Sequence, residues 1–264
     1  MDPLFLVDGS YHGGQCCFSV VLTVGQAGFF TADSSSAQLL ENFRQAQGRQ
    51  RQRLLQGVLN GAQQLVESIP TALQGYDPAG DDWAAGTLIQ LLMAHGGATR
   101  AEFLRCHPQG WFLAPSAMGQ NHQPLQHALA KEDFENADRL TMASLRQMAG
   151  PAAVNRGYVF FSEVPALATV DLDTIDRLWV AYSRGRYGFS VQRRLLKACG
   201  GRWEQLWLRL GWKQDGVWTR YPNQFTWCHS APEGHMPLVN QLRGVRLMDA
   251  LLHHPAIMAR CPDG

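Results

Sequence analysis

The sequence has almost no net charge: 23 Lys and Arg stand against 22 Asp and Glu, a formal +1. No global field therefore draws the chain to nucleic acid or to an anionic membrane. Charged residues make up only 17% of the chain and apolar ones 45%, the composition of a folded protein rather than a disordered one. No apolar run reaches the length that spans a bilayer. None of the six cysteines (Cys16, Cys17, Cys106, Cys199, Cys228 and Cys261) sits in a CxxC pair, and no Cys/His group has zinc spacing. They read as free, mostly structural thiols in a reducing compartment. No GxSxG, HExxH, phosphate-binding glycine loop or dinucleotide fingerprint is present, and no strong internal repeat. No Lys or Arg precedes Arg44, so the start has neither the basic n-region of a signal peptide nor the basic character of a transit peptide. Residues 1–36 read as a poorly ordered leader.

What is present is helical in pattern. Leu54, Leu55, Val58, Leu59, Ala62, Leu65, Val66 and Ile69 recur at three- and four-residue spacing, one stripe of an amphipathic helix that Pro70 would stop. A second helix is predicted from Trp83 to His95, ahead of Gly96-Gly97, and a short third over Arg100 to Arg105. Residues 37–106 thus read as an N-terminal helical bundle. The Pro, Gly, Asn and Gln content of residues 107–121 reads as a linker, and residues 122–258 as a second, all-helical domain. Within it, Asp171, Asp173 and Asp176 crowd the start of a predicted helix, where capping and the helix dipole explain them better than an acid/base pair does. Asp215-Gly216 marks a tight turn. A last helix is predicted from Pro237 to His254, with His253-His254 as a solvated helix-terminal cation. No catalytic constellation stands out, and the chain reads as a binding protein rather than an enzyme.

On that last predicted helix, Asn240, Arg243 and Arg246 follow one another at three-residue steps and share about one third of the wheel. An amide and two guanidinium forks in one strip suit carboxylates. The aromatic stretch Trp218, Tyr221, Phe225 and Trp227 precedes them, so the pair would suit a large flat molecule bearing carboxylates. By chemistry alone, solvated arginines and core tryptophans explain the same residues at least as well.

These residues sit within a longer resemblance. The run Tyr182-Ser183-Arg184-Gly185-Arg186-Tyr187-Gly188-Phe189-Ser190-Val191-Gln192 resembles the signature of the Genomes-Uncoupled-Four family, porphyrin-binding stimulators of magnesium chelatase. Phe134-Glu135-Asn136-Ala137-Asp138 is similar to its F-x-x-A-D helix, and Asp171-Leu172 with Ile175-Asp176-Arg177-Leu178-Trp179 to its D-L-x-x-I-x-x-L-W helix. Gly211-Trp212-Lys213, Val217-Trp218-Thr219-Arg220, Phe225-Thr226-Trp227, Ser230-Ala231-Pro232, Gly234-His235 and Asn240 to Arg246 follow in order, so the resemblance spans roughly residues 122–256. It implies an all-α chain whose N-terminal bundle is followed by a core with a cupped porphyrin-binding cleft. It implies protoporphyrin IX and magnesium-protoporphyrin IX as ligands, no catalytic cofactor, and the large porphyrin-binding subunit of magnesium chelatase as partner. It implies a monomer in a cyanobacterial cytoplasm, with room for peripheral thylakoid association. By this resemblance Asn240 is the axial ligand to the porphyrin magnesium, an oxygen donor suited to a hard cation, and Arg243 and Arg246 meet the propionates. Phe134, Phe161, Tyr221, Phe225 and Trp227 take cleft positions. A paralogue binding another tetrapyrrole (bilin or haem), or none, is the alternative. Three positions depart from the pattern: Met142 replaces an Arg, Tyr221 a Trp, and Ala168 a Pro.

Overall fold

The computed structural model describes residues 30–239 and 245–261. Four helices lead: α1 (Phe30–Gln45), α2 (Gly48–Asn60), α3 (Ala62–Leu65) and α4 (Ile69–Leu73). The stripe from Leu54 to Ile69, expected as one helix, is therefore broken. Gly61 leaves helical geometry at φ −87° and ψ 9°, and a 3-10 turn over Val66–Ser68 follows α3. Pro70 does not stop a helix; it sits in the first turn of α4, where its missing N–H costs nothing.

Next comes α5 (Trp83–His95), capped by the Asp82 carboxylate, which accepts from the Ala84 N–H at 2.9 Å. Its residues 84–93 are buried on every face, which is why it shows little amphipathic stripe: it is the central rod between the leading helices and the core behind. That core begins with α6 (Gly97–Cys106), α7 (Gln123–Ala130), α8 (Phe134–Ala149) and α9 (Pro151–Arg156). A 3-10 turn (Phe161–Ala166) leads to α10 (Thr169–Tyr182), α11 (Phe189–Ala198) and α12 (Trp203–Arg209). The chain closes with α13 (Arg246–Leu252) and α14 (Pro255–Arg260). Among the described residues the one sheet is a hairpin, β1 (Lys213–Gln214) with β2 (Val217–Trp218), antiparallel with Lys213 opposite Trp218. Its turn is Asp215-Gly216, both at positive φ (49° and 80°), the geometry a two-residue hairpin turn demands.

α5 and α10 meet so closely that a Cβ on Gly86 would lie 2.1 Å from the Ala181 carbonyl oxygen. At this crossing the Gln90 amide donates to the carbonyls of Leu129 (3.0 Å) and Tyr182 (2.7 Å), tying α5 to the ends of α7 and α10. One apolar cluster runs from Leu40 through Leu88 and Leu178 to Ile257. The helix-poor segment 107–122 is fastened to it: Phe112 is buried, and its N–H and carbonyl are both bonded by the Gln126 side chain.

The three aspartates of α10 are not solvent-facing caps. Asp171 is wholly buried and accepts from Ser116 Oγ (2.5 Å), the Ala117 N–H (2.9 Å) and His122 Nε2 (3.1 Å). Asp176 accepts from the Ser190 N–H and from Arg260, whose guanidinium also reaches Asp173 and Asp81. A buried carboxylate is tolerated only with such donors, and all three are staples between elements. The last helix also differs from expectation. Pro237 to Val239 are not helical, and α13 begins at Arg246. Nor is His254 solvated. It is buried at the start of α14, bonded to the Leu167 carbonyl at 3.2 Å and accepting from the Ala256 N–H at 3.2 Å, and burial lowers its pKa.

Candidate functional site

The segment that follows the hairpin is shaped by local bonds. The Gln224 side chain accepts from the Arg220 N–H, and the Phe225 N–H donates to the Pro222 carbonyl. This folds Tyr221, Phe225 and Trp227 into one cluster. Phe225 and Trp227 stack at 5.7 Å, while Tyr221 meets both edge-on at 5.9 and 5.8 Å. Tyr221 is exposed, Trp227 half-buried and Phe225 buried. The cluster rests on His235, whose ring lies 5.0 Å from Phe225. His235 Nδ1 bonds the Leu210 carbonyl at 2.6 Å and Nε2 accepts from the Thr226 N–H at 3.3 Å, so the ring is neutral with its proton on Nδ1. Burial lowers its pKa accordingly.

The family-like run 182–192 explains how this segment is held. Ser183 Oγ accepts from the Arg186 and Tyr187 N–H groups, closing a turn in which Arg184 and Gly185 take positive φ. From that turn Arg186 donates to the Ala231 carbonyl, Tyr187 to that of Cys228, and Gln192 to those of Gly234 and Pro237. Gly188, at φ 128°, lets Asp176 approach: a Cβ there would sit 2.8 Å from its carboxylate. The run is thus a clamp for residues 228–237.

A second aromatic element lies on the 3-10 turn. Phe160 and Phe161 are both exposed; the Arg246 guanidinium stands 5.4 Å from the Phe161 ring centroid and that of Arg156 stands 3.9 Å from Phe160. Arg156 is also held by Glu163 at 2.6 Å. Helix α8 joins the two elements. It packs against the 3-10 turn, and its Asp138 accepts from the Leu238 N–H at 2.6 Å and feels the Tyr221 hydroxyl, which lowers its pKa. Met142, one turn further along α8, is half-buried against the core.

The structure therefore brings Tyr221, Phe225 and Trp227 together, and Phe161 with Arg246. Phe134 is placed differently. It is wholly buried, stacked on Trp179 at 6.1 Å and meeting Tyr187 and His229 edge-on, so it supports the clamp from beneath. Asn240 and Arg243 lie outside the described residues. Sequence reasoning missed Asp138 and His235. Asp138 left a signal: it interrupts the apolar stripe Phe134, Ala137, Thr141 and Leu145, a core position where an acid demands a reason. Among the described residues no group of three or more His, Cys, Asp or Glu could hold a metal ion, and no helix is long and apolar enough to cross a membrane. The concavity of about 510 Å³ between Arg44, Arg51, Tyr76, Trp83 and Val180 lies away from this arrangement.

Comparison with known proteins adds to this geometry. A family model described as GUN4-like matches residues 115–255. A Ycf53-like protein of Synechocystis is 50% identical over 151 residues, 57% of this chain and 65% of that protein. A chloroplastic protein of Arabidopsis thaliana named as tetrapyrrole-binding is 38% identical over 141 residues, 50% of this chain and 53% of that one. The chain thus spans just under two thirds of the first relative and about half of the second. The solved structure of GUN4 from Chlamydomonas reinhardtii superposes with a TM-score of 0.52 at 34% identity, over 55% of this chain and 93% of that one.

Proposed function

The chain belongs to the GUN4-like family, and from that premise we propose that it binds protoporphyrin IX and magnesium-protoporphyrin IX against the Tyr221–Trp227 cluster and the Phe161–Arg246 pair. The observation that carries this reading is that α8 joins two aromatic elements that reach the surface through Tyr221 and Phe161, one bearing a guanidinium. Aromatic faces suit the macrocycle, and an Arg fork suits a propionate. The described residues fit such a ligand in chemistry. Asn240, as axial oxygen donor to the magnesium, and Arg243, as a second propionate contact, complete the proposed site; Phe134 supports it from below. The role is regulatory, not enzymatic: the porphyrin-loaded chain stimulates magnesium chelatase through that enzyme's large porphyrin-binding subunit, as a monomer. The Synechocystis relative supports a cyanobacterial protein, and we place it in the cytoplasm, with thylakoid association when loaded.

Trp227, half-buried within the cluster, makes tryptophan fluorescence the reporter. Titration with magnesium-deuteroporphyrin, metal-free deuteroporphyrin and haemin should give saturable quenching by the first two, tighter for the magnesium form. Asn240→Ala should weaken the magnesium form alone, and Arg243→Ala both. Haemin-selective quenching would move the ligand to another tetrapyrrole; no quenching by any of the three would end the proposal.

A further inference from the structure

We propose that Asp138 is a positioning residue for the porphyrin site, a latch whose carboxylate sets the aromatic cluster and the segment leading to residue 240 in their binding arrangement. The inference rests on the porphyrin reading above and adds a control that reading does not contain.

The geometry is specific. Asp138 is 1% exposed, on the inward face of α8. Its carboxyl accepts from the Leu238 N–H at 2.6 Å, and the Tyr221 hydroxyl acts on it electrostatically. Those two groups belong to the two stretches that matter for the ligand: Tyr221 opens the aromatic cluster, and Leu238 lies two residues before Asn240. One carboxyl therefore fixes both to α8, the helix that also packs on the 3-10 turn bearing Phe161. The described residues offer it no ion pair. The charged groups that act on it are Glu135 and Arg139 of its own helix, themselves paired at 3.7 Å, and from the elements packed against it only Tyr221 titrates. A buried carboxylate with one backbone donor and no cation is costly. It carries no apolar packing that a Leu would not supply, so its reason lies in what it holds. Burial raises its pKa to about 7, with the Leu238 bond and the Tyr221 hydroxyl working against that rise. The latch is thus charge-assisted and tight above neutrality, and neutral and weaker below it.

Two measurements test the latch. The Leu238 amide proton in an ¹⁵N-resolved spectrum should move as pH is raised from 6 to 8 in the parent and stay still in Asp138→Asn, whose amide oxygen still accepts from Leu238 but does not titrate. Affinity for magnesium-deuteroporphyrin should rise about tenfold over the same range in the parent and stay flat, near the parent's low-pH value, in Asp138→Asn. Tyr221→Phe, which removes a hydroxyl that lowers the Asp138 pKa, should shift the inflection to higher pH whatever it does to affinity. Parallel pH profiles for parent and Asp138→Asn, with porphyrin binding intact, would overturn the latch alone. Absence of binding by the parent would remove the porphyrin reading and the latch with it.

Discussion

Asp138 and His235 hold the same aromatic segment from two sides and titrate in opposite senses, and this sets a shape for stability against pH. The Asp138 carboxyl has a folded pKa of about 7, raised from about 4 by burial. Between those values the native state keeps a proton that the unfolded chain has lost, so its contribution to stability falls as pH rises through that window. A shift of this size corresponds to as much as about 4 kcal/mol at full ionisation. For His235 the folded pKa is lowered by burial. The unfolded chain gains a proton below about pH 6.5 that the native state refuses, so here stability falls as pH falls. Melting temperatures from pH 4.5 to 7.5 should therefore show Asp138→Asn gaining on the parent steadily as pH rises. His235→Gln should be less stable at pH 7.5, by about 1 to 3 kcal/mol for the buried bonds it disturbs, with the deficit narrowing toward pH 5. A constant Asp138→Asn difference across the range would show that the carboxyl does not titrate there. Both residues stand in family-like motifs of the sequence, but neither was given a role there. An Asp on an apolar stripe signals a buried bond but not its partner, because Tyr221 and Leu238 stand 83 and 100 positions away. Phe134 was legible as important but not as core, since burial depth depends on what packs over a residue.

Among the glycines of the described residues, Gly86, at the crossing of α5 on α10, leaves the least room for a Cβ. Gly86→Ala would normally help a helix by about 1 kcal/mol. Here the new Cβ would meet the Ala181 carbonyl oxygen at 2.1 Å and its carbon at 2.6 Å, backbone atoms that cannot swing aside. Overpacking of this kind costs about 1 to 3 kcal/mol, so the clash wins and the variant should melt several degrees lower. Gly57→Ala is the control: a Cβ there meets nothing within 4 Å, and the same change in α2 should be neutral or stabilising. Equal shifts for the two would show that the crossing is looser than described. A helix with a clear stop, such as α5, was legible in the sequence. The break at Gly61 was not, because the apolar stripe continues across it while the backbone does not. Nor was the non-helical stretch from Pro237, where Gln192 claims the Gly234 and Pro237 carbonyls. A proline favours a helix start but does not make one.

For the whole chain, the question is where the core begins. The sequence places that start at residue 122, on the Pro, Gly, Asn and Gln content of the stretch before it. The contacts of that stretch lead to a different expectation for stability. Ser116 and Ala117 supply two of the three donors to the wholly buried Asp171. Thr174 donates to the Pro115 carbonyl and Arg177 to that of Leu113, while Gln126 spends its amide on Phe112. A fragment beginning at 107 keeps all of these; one beginning at 122 leaves Asp171 with His122 alone. Stranding a buried carboxylate in this way costs about 3 to 5 kcal/mol, before the uncovered surface around Tyr182 is counted. Residues 107–264 should therefore melt cooperatively, whereas residues 122–264 should melt well below them or fail to fold. The GUN4-like family model matches residues 115–255, a stretch that begins after α5 and inside 107–121. Denaturant titration of the two fragments decides the matter. Matching midpoints would make 107–121 a linker in energy as well as composition. A lower midpoint for the shorter fragment would make it part of the core, joined to α10 by bonds that no composition rule could reveal.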